Sequence, residues 1–119
     1  MKKRSTILFI KDIINFFNRI EEYTKDFKFE DFIKNQMLID AVVRNLELIG
    51  EASNNISKKI QDKYSEIPWS ELIGLRTIAA HRYFKLDLNI IWDIITKDIP
   101  ETKIKFKNIF DKLFSDENF

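Results

Sequence analysis

The sequence of 119 residues has no cysteine, one histidine, two glycines and two prolines. Without cysteine the chain has no disulfide framework, no thiolate metal site and no cysteine nucleophile. A single histidine excludes every metal motif that takes two histidines from one chain. The scarcity of glycine and proline argues against a β-sandwich or a β-barrel, since both need many tight turns. It favours a few long helices joined by a few loops.

The chain also lacks a dominant charge and a long apolar segment. Lys and Arg number 20 and Asp and Glu number 19, which gives a formal net charge of +1. A nucleic-acid binder with this balance has to concentrate its basic residues locally. The N-terminal apolar run at residues 7–10 is too short for a signal-peptide core or a membrane span. We therefore expect a cytoplasmic protein with no membrane partner and no bound metal or cofactor.

Hydrophobic residues make up 45% of the chain and charged residues 33%, a balance typical of one folded domain, here residues 1–119. Apolar residues recur at helical spacing over most of the length. The pattern predicts helices over residues 5–25, 31–63, 68–83, 88–97 and 101–114. Asp87 is the expected N-cap of the fourth helix, and Pro100 is expected to separate the last two. The prediction is an all-α antiparallel bundle of four to five helices.

One segment carries residues suited to catalysis. Residues 74–84 contain the sole histidine, His81, with Arg76 five residues before it and Tyr83 two residues after it. Histidine titrates near neutrality and transfers protons, and an arginine fork fits phosphate oxygens. RNA supplies its own nucleophile, the ribose 2′-OH, so cleavage through these residues needs no metal. The alternative from residue types alone is that His81 and Tyr83 are structural.

The count and spacing of these residues constrain how they act. One histidine cannot serve as base and acid at once, so we expect a two-fold dimer that brings two copies of Arg76 and His81 to one cleft. On an ideal α-helix, His81 lies about 140° from Arg76, whereas Tyr83 lies within about 20° of Arg76. Either Arg76 reaches around the helix, or the helix deforms between Ala79 and Phe84.

The segment resembles the Arg-x4-His-x-Tyr motif of HepT toxins, a branch of the HEPN superfamily. The resemblance covers roughly Asn35 to Lys105. It includes the long-helix segment at residues 40–52 (Asp-Ala-Val-Val-Arg-Asn-Leu-Glu-Leu-Ile-Gly-Glu-Ala), the connector at 66–69 (Glu-Ile-Pro-Trp), and the segments at 83–87 (Tyr-Phe-Lys-Leu-Asp), 91–93 (Ile-Trp-Asp) and 98–100 (Asp-Ile-Pro).

The resemblance implies a HEPN-type helical homodimer with the motif at the dimer cleft. It implies a metal-independent ribonuclease that acts on messenger or transfer RNA, with Arg76 and His81 as catalytic residues. It also implies a partner, an MNT-type minimal nucleotidyltransferase antitoxin. In such pairs the antitoxin adenylylates the motif tyrosine, which by residue match is Tyr83.

Two positions depart from the family pattern. Thr77 stands where the family usually has asparagine, and it keeps a hydroxyl but lacks the paired donor and acceptor of an amide. Arg82 stands where an acidic residue is common, and it adds positive charge near a bound phosphate. Glu47 and Glu51 share one helical face with Asp40 and Arg44. This face is either a solvated stripe or a support that orients Arg76 in the cleft.

These observations leave three hypotheses. The first is the ribonuclease toxin of a HEPN/MNT toxin–antitoxin system, neutralised by adenylylation of Tyr83. The second is a non-catalytic helical subunit that binds a nucleotidyltransferase, nucleotide or RNA. Thr77, which differs from the residue usual in the family, supports this hypothesis. The third is a helical scaffold with no site.

Overall fold

The computed structural model describes residues 5–81 and 87–117, with residues 79–81 and 116–117 described through the backbone only. Within these ranges the protein is helical and has no β-strand, which confirms the predicted all-α class. The elements in chain order are α1 (Thr6–Thr24), α2 (Phe29–Phe32), α3 (Gln36–Asn54), α4 (Lys58–Lys63), α5 (Trp69–Gly74), a 3₁₀ helix (Leu75–His81), α6 (Leu88–Asp93), a π-helical segment (Ile94–Asp98) and α7 (Ile99–Glu117).

Helix α1 forms where the apolar spacing predicts it. The hydroxyl of Ser5 caps its first turn by accepting a hydrogen bond from the Leu8 backbone N–H at 3.4 Å. Its inward face buries four side chains at helical spacing, namely Ile10, Ile13, Phe17 and Ile20. Removal of this apolar surface from water is the main force that fixes the helix on the core.

The predicted second helix, over residues 31–63, is divided among three helices. A short helix α2 ends at Phe32, and Asn35 then caps α3 through a side-chain bond from the Leu38 N–H at 3.0 Å. At the other end, α3 stops at Asn54 and Ser57 caps a new helix, α4. Side chains that accept hydrogen bonds from free backbone N–H groups start new helices at these positions.

The core is built around α3 and Phe106. Helix α3 packs against α1 and also against α5 and the 3₁₀ helix, while α7 packs on α1. Phe106 of α7 lies edge-on to Phe17 of α1 and to Trp69 of α5, with centroid distances of 5.6 and 5.5 Å. The Trp69 indole donates a buried hydrogen bond to the Tyr64 carbonyl at 3.0 Å. These contacts fix the start of α5 relative to the two long helices.

Pro100 does not separate two helices as predicted. Helix α6, the π-helical segment and α7 follow one another without a break, and the Ile99 N–H donates to the Ile94 carbonyl five residues earlier. A proline ring clashes with the carbonyl four residues before it in a regular α-helix. The wider π turn directly before Pro100 relieves that clash, so the chain continues as a helix.

Candidate functional site

The motif segment follows directly from α5. Arg76 and Thr77 lie in the 3₁₀ helix Leu75–His81, and both side chains are exposed to solvent. Within residues 5–81 and 87–117, the Arg76 guanidinium forms no ion pair. An arginine that no carboxylate neutralises is available to a phosphate group.

The helix changes type within the motif segment. The tighter winding starts at Leu75, before Arg76, and continues to His81. The sequence left open a deformation between Ala79 and Phe84, and residues 82–84 of that range lie outside the described residues. A 3₁₀ helix advances about 120° and about 2 Å per residue, so the backbone positions of Arg76 and His81 lie about 120° apart around the axis and about 10 Å apart along it. The 3₁₀ winding therefore does not bring these two backbone positions to one side of the helix.

The backbone of Arg76 rests directly on Gly50 of α3. A Cβ atom at position 50 would collide with the Arg76 backbone nitrogen, and it would lie 2.9 Å from both the Arg76 Cα and the Leu72 carbonyl oxygen. These neighbours are backbone atoms and cannot rotate away. Glycine is therefore the residue that allows α3 and the motif segment to touch.

The sequence analysis assigned no function to Gly50. The usable signal was a glycine in the middle of an uninterrupted helix, where it costs about 1 kcal/mol relative to alanine. Such a residue needs a compensating reason, and close approach of another backbone is a common one.

The exposed face of α3 beside Gly50 carries the predicted acidic residues. Glu47 lies one turn before Gly50 and is half-buried, whereas Glu51 is exposed. Asp40, on the same face, accepts a hydrogen bond from the Gln36 amide at 2.9 Å. On an α-helix, Glu47 lies about 60° and Glu51 about 100° around the axis from Gly50, so both flank the contact.

The Thr77 side chain forms a hydrogen bond within its own segment. Its hydroxyl donates a hydrogen bond to the Gly74 carbonyl oxygen at 3.0 Å, across the junction between α5 and the 3₁₀ helix. This bond satisfies one carbonyl at the end of α5. The hydroxyl of Thr77 therefore helps to hold the helix junction that sets the position of Arg76.

The remaining motif residues are only partly described. The backbone of His81 ends the 3₁₀ helix, and its side chain lies outside the described part of the chain. Arg82 and Tyr83 also lie outside the described residues. The predicted roles of these three residues in the site stay predictions.

Two properties of the described residues concern metal binding and membrane insertion. Among them, no group of three or more His, Cys, Asp or Glu side chains is arranged to hold a metal ion. No helix in the same ranges combines the length and the apolar character that crossing a membrane requires.

Comparison with known proteins places the chain in a family. No solved structure matches it. It is 40% identical over 119 residues to a protein of Methanocaldococcus jannaschii that is provisionally named an RNase, and 99% of this chain and 98% of that protein are covered. It is 44% identical over 91 residues to a protein of Caldanaerobacter subterraneus with the same provisional name, covering 76% of this chain and 81% of the relative.

A third relative carries a more specific name. The chain is 39% identical over 107 residues to a protein of Thermococcus cleftensis named a probable ribonuclease HepT, and 90% of this chain and 97% of that protein are covered. The family model described as Ribonuclease HepT-like matches residues 13–109, a range that includes Gly50, the 3₁₀ helix and Pro100. The chain therefore belongs to the HepT-like ribonuclease family, and its all-helical fold is of the HEPN type.

Proposed function

We propose that this protein is a metal-independent endoribonuclease and the toxin of a HEPN/MNT toxin–antitoxin pair. The observation that carries the proposal is Arg76: it is exposed, it is unpaired among the described residues, and its backbone is held against Gly50. Membership of the HepT-like ribonuclease family and the RNase names of three relatives support the reaction class.

The proposed reaction uses the nucleophile of the substrate. His81 takes the proton of the ribose 2′-OH, and the oxygen attacks the adjacent phosphorus. The bond to the 5′-oxygen breaks, and that oxygen takes up a proton from a second acid group. The products are a 2′,3′-cyclic phosphate and a 5′-hydroxyl end. Arg76 stabilises the extra negative charge on the phosphate in the transition state.

A homodimer supplies the second proton-transfer group. The chain has one histidine, and the backbone positions of Arg76 and His81 lie on different sides of the 3₁₀ helix. A two-fold dimer that faces the two motif segments toward one cleft presents two copies of each residue to one RNA backbone.

The proposed substrate class is messenger or transfer RNA.

Control of the nuclease is proposed to act through Tyr83. The phenol oxygen attacks the α-phosphorus of ATP in the antitoxin, a minimal nucleotidyltransferase, and pyrophosphate leaves. The product carries AMP on Tyr83, with a negative phosphodiester close in sequence to Arg76 and Arg82. Those arginines then pair with the attached phosphate, and RNA loses its anchors.

The second candidate is a non-catalytic subunit that binds a nucleotidyltransferase, nucleotide or RNA. The observation that favours it is the Thr77 hydroxyl, whose hydrogen is engaged by the Gly74 carbonyl. Where the family usually places an amide, this chain thus offers no free donor. On this hypothesis RNA binds without being cleaved.

One assay separates the two candidates. Purified wild type, Arg76→Ala and His81→Ala are incubated with RNA in EDTA, and the 3′ ends are analysed. We expect wild type to produce 2′,3′-cyclic phosphate ends, and neither Arg76→Ala nor His81→Ala to produce them. Arg19→Ala is the matched control, because it removes an exposed arginine of α1 that lies over the Phe16 ring. Cleavage that needs added magnesium, or cleavage that survives in His81→Ala, contradicts the proposal.

A further inference from the structure

A cavity lies beside the motif segment. Its volume is about 430 Å³, within the range of small-ligand sites. One wall comes from α5 and the start of the 3₁₀ helix, and the other comes from the π-helical segment and the start of α7. Its apolar surface is formed by Pro68 and four aliphatic side chains, namely Leu72, Leu75, Ile94 and Ile99.

The lining of the cavity includes a threonine. Thr102 lines it and is only 6% exposed. Among the residues that the structure describes, its hydroxyl forms no hydrogen bond with a side chain or with the backbone. A hydroxyl can both donate and accept a hydrogen bond. It can therefore pair with a ligand that brings a hydrogen-bonding group into the cavity.

The rim of the cavity is negative. Glu71 lies on one wall and Asp98 on the other, and both are exposed. Neither carboxylate forms an ion pair within the described ranges. The lysines near them in sequence are engaged elsewhere, since they pair with other carboxylates: Lys97 with Asp93 at 3.3 Å, Lys103 with Glu21 at 2.9 Å and Lys105 with Glu101 at 3.9 Å.

We propose that this cavity binds a small linear aliphatic amine in its protonated form. The methylene chain packs on the aliphatic walls, as lysine stems pack on apolar surface. The ammonium group donates to the rim carboxylates and to the Thr102 hydroxyl, forming charge-assisted hydrogen bonds. A carboxylate ligand is repelled by Glu71 and Asp98, and an alcohol fills the cavity without satisfying their charge.

The site is physically linked to Arg76. Leu75, which lines the cavity, is the residue directly before Arg76, and the Arg76 backbone is pressed against Gly50. A ligand in the cavity therefore contacts the same 3₁₀ helix that α3 supports. Binding is expected to change the environment of the Arg76 backbone amide, which NMR detects without RNA and without any assumption about cleavage.

The test compares three ligands with the same chain length: hexylammonium, hexan-1-ol and hexanoate. Calorimetry at neutral pH and low salt should show hexylammonium binding about tenfold more tightly than hexan-1-ol, with hexanoate weakest. The double variant Glu71→Gln/Asp98→Asn should lose that preference. The matched control, Glu66→Gln/Asp111→Asn, removes the same charge from a different surface depression and should retain it.

Two further measurements test the proposal. Methyl shifts of Leu72, Leu75, Ile94 and Ile99 should move with hexylammonium and saturate with the calorimetric affinity. Thr102→Val, which keeps the shape and removes the hydroxyl, should weaken the amine more than the alcohol. Equal affinity of amine and alcohol in wild type, the same preference in Glu71→Gln/Asp98→Asn, or shifts confined to another surface would each overturn the proposal.

Discussion

Gly50 and Arg76 are in backbone contact, with no room between them for even one methyl group. This contact joins the middle of α3 to the segment that carries the motif arginine. Because a helix backbone is stiff, the position of Arg76 is set by how closely the 3₁₀ helix approaches α3. The two glycines of the chain allow a direct test, since a Cβ at Gly74 would meet no heavy atom within 4 Å.

We expect Gly50→Ala to destabilise the protein and to impair RNA cleavage. The added methyl forces the motif segment away from α3, and overpacking of this kind costs about 1–3 kcal/mol. That cost is offset by only about 1 kcal/mol of improved helix propensity. The free energy of unfolding from urea titration and the cleavage rate below the unfolding transition measure the two effects.

Gly74→Ala is the control for Gly50→Ala. Gly74 is the last residue of α5 and has no positive φ, so alanine fits its conformation. This variant should be as stable as wild type or up to about 1 kcal/mol more stable, with an unchanged cleavage rate. If both variants cleave RNA at the wild-type rate, the Gly50 contact does not position Arg76.

Thr77→Val tests whether the threonine hydroxyl acts on RNA or only on the helix junction. The substitution removes the bond to the Gly74 carbonyl, and an exposed hydrogen bond contributes about 0.5–1.5 kcal/mol. We expect a loss of stability of that order and cleavage within about twofold of wild type. A large loss of cleavage at unchanged unfolding free energy would show that the hydroxyl contacts the substrate.

The proposed shared cleft requires a dimer. Light scattering at micromolar concentration should give twice the chain mass of 14.3 kDa. Cleavage activity per chain should fall on dilution together with the dimer fraction, since each site needs residues from two copies. A monomer that retains full activity per chain would rule out the shared cleft.

Tyr83→Phe separates catalysis from control. The variant keeps the aromatic ring and removes the phenol that accepts AMP, so it should cleave RNA at a substantial rate. Incubated with the cognate nucleotidyltransferase and ATP, only wild type should gain mass in whole AMP units and lose activity. An equal mass gain in Tyr83→Phe, or neutralisation of wild type without a mass gain, would place control at another residue or in simple binding.

The sequence predicted the helical class, the family and several helix ends because these depend on local information. Ser5 and Asp87 begin helices through side chains that accept from nearby backbone N–H groups, a short-range interaction visible in the sequence. The apolar spacing of α1 likewise reports the face that becomes buried. The interruption between α3 and α4 was not predicted, although Ser57 begins α4 through the same kind of local bond.

The register of α7 shows where local information is insufficient. Ile104 and Phe106 are both apolar, yet Ile104 is 63% exposed and Phe106 is buried. The contacts of Phe106 with Phe17 and Trp69 determine which face of α7 turns inward. Both faces carry apolar residues, so the choice depends on the shape of the core that α1 and α5 provide.

The sequence by itself therefore determined the residues available for chemistry: one histidine, the arginine five residues before it and a tyrosine two residues after it. The tertiary structure decided how Arg76 is presented, through the 3₁₀ winding that begins at Leu75 and the backbone contact with Gly50. The reason is physical. Residue types and helical spacing are local properties, whereas the distance between α3 and the motif segment depends on how two helices distant in sequence pack together.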